Sequence, residues 1–107
     1  MGNLFLEGAK MNELESGVCA LKFSATWCGP CKKMEPTVER LELEFPKAKF
    51  ISVDIDEEPA LAQKYKVRTL PTILIVKNGQ EVNRITGMSL IEPLRKIFRD
   101  VMEEVSK

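Results

Sequence analysis

The sequence predicts an α/β fold in which a central mixed β-sheet is covered by helices on both faces, a three-layer α/β/α sandwich. Three observations carry that prediction. Apolar runs of strand length alternate with stretches of helical period through the first two thirds of the chain, which implies parallel strands joined by helical crossovers. An Asn78-Gly79 pair between two strand-like runs signals a tight hairpin, and so adds an antiparallel pair. The run Val18-Cys19-Ala20-Leu21-Lys22-Phe23 is apolar almost throughout, as in a central strand covered on both faces.

Asn3 to Leu6 reads as a short first strand and Ala9 to Glu15 as a short helix before a break at Gly17. The apolar run beginning at Val18 follows, with Lys22 as its one exception. Cys31, Met34, Val38, Leu41 and Phe45 fall at helical spacings with charged residues between them. Pro36 lies inside this helix and is expected to kink it, because it lacks a donor and crowds the carbonyl of Lys32. Phe50 to Ile55 is another strand, and Asp56-Glu57-Glu58-Pro59 is an acidic helix start leading into Ala60 to Tyr65. Thr72 to Val76 is rich in β-branched residues, and Glu81 to Thr86 returns from the hairpin as a more polar edge strand. Ser89 and Glu92 are spaced for a capping box, and Leu90, Leu94, Ile97, Phe98, Val101 and Val105 line one face of a last helix. The order is β-α-β-α-β-α-β-β-α.

With 107 residues and no repeat, low-complexity tract or linker, residues 1–107 are expected to form a single domain with its own core. Sixteen basic residues balance 16 acidic ones, which argues against nucleic-acid or membrane-surface partners. The N-terminal residues show neither a basic leader nor an apolar stretch of secretory length, and the three cysteines do not suit a secreted disulfide framework, so a reducing cytoplasm is expected. The chain contains no histidine, which excludes Cys/His metal sites and every Ser-His or Cys-His dyad.

The segment Ser24-Ala25-Thr26-Trp27-Cys28-Gly29-Pro30-Cys31-Lys32-Lys33 concentrates the chemistry. A structural zinc site needs four ligands, usually two separated Cys-x-x-Cys pairs, and this chain offers one pair plus Cys19. As a staple, so short a loop stabilises by only about 2 kcal/mol on the chain-entropy model. A pair made and broken in turnover uses the whole segment. Cys28 falls at a helix start, where unpaired N–H groups and the helix dipole favour a thiolate, and Cys31 lies one turn on. Gly29 is expected to permit the tight bend, and Pro30 presets helical φ near the helix start. Trp27 is either a flat apolar surface beside the nucleophile or a core aromatic.

Trp27-Cys28-Gly29-Pro30-Cys31-Lys32, between a buried strand and a proline-bearing helix, resembles the active site of the thioredoxin family. Val53-Asp54-Ile55-Asp56 before Glu-Glu-Pro, Arg68-Thr69-Leu70-Pro71-Thr72, and Val76-Lys77-Asn78-Gly79 with Gly87 agree with it in order and spacing, so the likeness covers nearly the whole chain. The resemblance implies the thioredoxin fold and a protein-disulfide reductase. Cys28 would attack a target disulfide, Cys31 would resolve the mixed intermediate, and the Cys28–Cys31 pair itself would be the redox centre, with no separate cofactor. Pro71 would be a cis-proline opposite the cysteines, and the backbone of Leu70 would pair with an extended substrate segment. Gly87 and Met88 match the loop that completes the docking surface, although Met88 equally suits packing. The implied partners are a thioredoxin reductase and disulfide-containing proteins such as ribonucleotide reductase, methionine sulfoxide reductase and peroxiredoxins, met by a monomer.

Lys22 departs from the family pattern, which places a buried aspartate five residues before the tryptophan and often a lysine where this chain has Ser52. Two readings stand. Lys22 either snorkels to solvent, or lies near Cys31, favours its thiolate and carries its proton, with Glu35 or Glu39 as partner. Cys19 reads as a small core residue, and Lys32 with Lys33 as a solvated helix face. A second function of a different class is a binding module that grips a partner without redox turnover.

Overall fold

Strand β1 (Val18–Ser24) alternates its side chains between two helical layers, and both layers are apolar because the strand lies mid-sheet. The computed structural model describes the backbone of residues 17–106 and side chains as far as Glu103, so the strand expected at Asn3–Leu6 and the helix expected at Ala9–Glu15 lie outside the described residues. After β1 come α1 (Gly29–Glu44), β2 (Lys49–Asp54), α2 (Pro59–Lys64), β3 (Thr72–Lys77), β4 (Gln80–Thr86) and α3 (Ile91–Ser106). The described strands form one sheet in the order β2-β1-β3-β4.

β1 and β2 are parallel, as a helical crossover requires, but β3 runs antiparallel to β1 although a helix precedes it. The reason is the length of α2. Its 6 residues span only about 9 Å, too little to carry the chain back along the sheet. β2 ends with Asp54 beside Ser24, and β3 begins with Thr72 beside Phe23, so the chain re-enters the sheet at the end it left. That end is where Cys28 and Cys31 sit.

On one face, Ala20, Ile73 and Ile75 pack against Met34 and Leu41 of α1 and Phe98 of α3. On the other, Leu21, Phe23, Val53 and Leu74 pack with Leu61 of α2. Each such side chain taken fully from water contributes about 1.5–3 kcal/mol. Cys19 is fully buried in the second cluster, in keeping with a core residue. Lys22, two residues on from Ala20, shares the α1 face.

The hairpin forms as expected: Asn78 and Gly79 both take positive φ (51° and 86°), as a two-residue turn of this twist needs. Asn78 also ties the turn to the start of β1, its N–H donating to Gly17 O (2.9 Å) and its Oδ1 accepting from Gly17 N (3.0 Å). Helix α1 continues through Pro36, which lies on the exposed face, where water can solvate the carbonyl it leaves without a donor. The expected capping box is not made. Ser89 donates its hydroxyl to Leu90 O (3.0 Å), Glu92 pairs with Arg95, and α3 starts at Ile91.

Candidate active site

β1 delivers the chain to a tight turn in which Cys28 N donates to Ala25 O (3.1 Å). Cys28 then takes an extended conformation (φ −88°, ψ 106°) and caps α1, its Sγ accepting the backbone N–H of Cys31 at 3.2 Å. Cys28 and Cys31 are joined in a disulfide, their Cα atoms 5.3 Å apart, an ordinary separation for such a bond. A sulfur at this cap receives an N–H and the positive end of the helix dipole, both of which stabilise a thiolate once the bond is opened. Pro30 occupies the first turn, where its missing donor costs nothing.

Gly29 does a different job from the one expected. Its φ lies outside the left-handed region and a Cβ there would meet nothing within 4 Å, so the bend is made by Cys28 and does not demand glycine. The absent side chain leaves the surface beside Cys28 bare.

The facing wall comes from the loop before β3. The Leu70–Pro71 peptide bond is cis, and the Thr72 hydroxyl donates to Thr69 O (2.5 Å). Leu70 packs with Ile55 against Ala25, Cys28 and Cys31. Gly87 donates its N–H to Pro71 O (2.7 Å) from a positive φ of 79°, fastening the end of β4 to this loop. Met88, next along, is exposed, which sets aside the packing reading for it.

Trp27 is 66% exposed, so it is a surface platform and not a core aromatic. Its indole Nε1–H donates to Asp56 Oδ2 (2.8 Å), while Asp56 N donates to Asp54 Oδ1 (2.8 Å). Asp56 was missed as a site residue because Asp56-Glu57-Glu58-Pro59 reads locally as a helix start. Nothing local could mark it, since its partner is 29 residues away in the chain.

The two cysteines face different spaces. Cys28 lines an outer groove of about 420 Å³ with Trp27, Pro30, Val67, Arg68 and Leu70. Cys31 lines an inner cavity of about 530 Å³ between β1 and α1, shared with Lys22, Glu35, Glu39, Ser52 and Pro71. Lys22 sits opposite Ser52 in the ladder, and its Nζ pairs with Glu42 Oε1 at 2.8 Å. The expected partners were Glu35 and Glu39; the ion pair goes one turn further down α1 because the long stem reaches toward solvent, leaving the side chain 23% exposed. Glu42 lies eleven residues beyond Cys31, about 16 Å along the helix, so the ammonium is drawn away from the disulfide. Among the described residues, no group of three or more Cys, Asp or Glu side chains is placed to hold a metal ion.

The thioredoxin family model matches residues 9–100. The chain belongs to the thioredoxin family. Curated thioredoxin from Staphylococcus aureus is 40% identical over 88 residues, covering 81% of this chain and 85% of that one. The crystal structure of thioredoxin from Fasciola hepatica is 36% identical, with 90% of each chain covered and a TM-score of 0.79. A chain from the structural study of thiol resolution in yeast mitochondrial 1-Cys peroxiredoxin by the glutathione/thioredoxin systems is 32% identical, covers 87% and 88%, and has a TM-score of 0.80. With a disulfide between the cysteines of its Cys-Gly-Pro-Cys segment, this thioredoxin-family chain is a thiol–disulfide oxidoreductase, a protein-disulfide reductase. No described helix is long and apolar enough to cross a membrane.

Proposed function

We propose that this chain is a general reductant of protein disulfides in the cytoplasm, an electron donor recycled by a thioredoxin reductase and needing no cofactor beyond its own cysteines. In this reading Cys28 is the nucleophile and Cys31 the resolving thiol. The observation that carries it is the position of Cys28 Sγ, capping α1 and lining the outer groove, where a partner disulfide has access and a thiolate has support. An extended partner segment lies along Leu70 and Pro71, with Trp27, Gly87 and Met88 around it. Peroxiredoxins are one partner class favoured by the likeness to the yeast mitochondrial system.

The test is reduction of insulin disulfides driven by dithiothreitol. Wild type is expected to accelerate precipitation of the insulin B chain, and Cys28→Ser to fall to the uncatalysed rate. Equal rates for the two proteins would leave the binding-module reading in its place.

A further inference from the structure

We propose that Glu35 accepts the proton of Cys31 when that thiol resolves the mixed disulfide. This deepens the reductase reading and rests on Cys28 being the attacking sulfur and Cys31 the resolving one.

Both sulfurs are buried, Cys28 at 5% and Cys31 at 7% exposure, but only Cys31 lines the cavity between β1 and α1, so its proton leaves into that cavity. An acceptor therefore has to be found in that cavity. The titratable groups lining it are Lys22 from β1, Asp54 at the end of β2, and Lys32, Glu35 and Glu39 from α1; β3 contributes only Thr72 and apolar atoms. Lys22 is held by Glu42, far down the helix, and as an ammonium it has no lone pair to offer. Lys32 is excluded on the same chemical ground. Asp54 has one oxygen committed to Asp56 N at 2.8 Å. Glu39 lies two helical turns from Cys31, about 12 Å along the axis.

Glu35 is different. It follows Cys31 by four residues on α1, a spacing that puts the two Cβ atoms about 5–6 Å apart. Helical side chains lean toward the N-terminus, so a residue at this position covers the turn that carries Cys31. Both side chains line the same cavity, which has polar as well as apolar lining and is large enough to hold water. Among the described residues, Glu35 has neither an ion pair nor a hydrogen bond, so its carboxylate is available.

Cys31 gives its proton to the Glu35 carboxylate, directly or through cavity water, as its sulfur attacks Cys28. The Cys28–Cys31 bond forms, the bond from Cys28 to the partner breaks, and the partner sulfur leaves as a thiolate that takes up a proton from Glu35 or from solvent. The cysteine pair loses two electrons and the partner disulfide gains them.

Stopped-flow reaction of the reduced protein with dithiobis(nitrobenzoate) separates the steps, because attack by Cys28 and resolution by Cys31 each release one coloured thiolate. Glu35→Gln, an isosteric change at an exposed position, is expected to leave the first phase unchanged. It should slow the second roughly 10- to 100-fold at pH 7, with the gap closing at alkaline pH as hydroxide takes the proton. Glu35→Asp should recover part of the rate, and Glu39→Gln should behave as wild type. A second phase for Glu35→Gln within about two-fold of wild type from pH 6 to 9 overturns the proposal, as does equal slowing by Glu39→Gln. Failure of the wild type to reduce insulin is a separate result and bears on the reductase reading instead.

Discussion

The outer groove at Cys28 and the inner cavity at Cys31 are built around two buried sulfurs of one disulfide, yet they differ in the side chains that line them. The groove is open, lined by an exposed indole, a bare glycine and Leu70, and it holds few titratable groups. The cavity lies between β1 and α1 and gathers lysine and carboxylate side chains around its sulfur. In the proposed reading one sulfur meets a partner and the other exchanges a proton. What separates them is one turn of helix: both sulfurs are buried against Ala25, Ile55 and Leu70, but Cys28, as the cap of α1, lines the groove with Trp27, while Cys31, inside the first turn, lines the cavity with Lys22 and Glu35. The lesson is that a spacing of three residues across a helix start gives two sulfurs close enough to bond and differently enough surrounded to divide the work.

The largest effects should come from exchanging the two sulfurs' fates. Cys28→Ser should abolish reductase activity, while Cys31→Ser should attack partners normally and then stall. The mixed disulfide should be visible by mass spectrometry as the partner's mass added to the chain. In the reduced wild type, iodoacetamide should modify Cys28 well before Cys31, read by peptide mapping; equal labelling would break the distinction between groove and cavity.

Next in size is the disulfide itself, which belongs to both regions. Its short loop predicts that reduction lowers stability by about 2 kcal/mol, measured by urea unfolding with and without dithiothreitol. A smaller effect is expected of Lys22→Met. It removes a half-exposed ion pair while keeping the apolar stem, so the loss should stay within about 1 kcal/mol. Because the ammonium is directed at Glu42, the resolving rate should not change; a large slowing would place Lys22 at the sulfur after all.

The smallest effect lies remote from both spaces. Hydrogen bonds from Arg95, helped by Arg40, hold Glu44 down from 4.5 to about 2. A carboxylate lowered in the folded state contributes stability that is present above pH 4.5 and is lost as pH falls from 4.5 toward 2. Glu44→Gln should therefore flatten the stability profile in that window alone, and added salt should shrink the difference, because the pair is exposed. Resolution kinetics at pH 7 should be untouched.

Much of the site was legible from the chain. Cysteine spacing, Pro30 and the switch to helical period at Cys31 locate a helix start with two sulfurs on it, and Asn78-Gly79 locates the hairpin. These are short-range signals, each fixed by backbone sterics or helical geometry within a few residues. Asp56 beneath Trp27 and Glu42 as the partner of Lys22 were not legible, because each contact joins elements 29 and 20 residues apart in sequence. The direction of β3 was not legible for a related reason: helical period reveals that a helix is present, but the crossover depends on where its ends land.

By itself, the sequence determined the α/β alternation, the Cys28–Cys31 pair and the exclusion of histidine chemistry, because period, spacing and composition act locally or by count. Only the tertiary structure decided that Trp27 is exposed, that Lys22 turns away from the disulfide, and that the two sulfurs open on different spaces. Those outcomes depend on which elements pack together, and packing is settled by the burial of distant apolar faces that no short window of sequence contains.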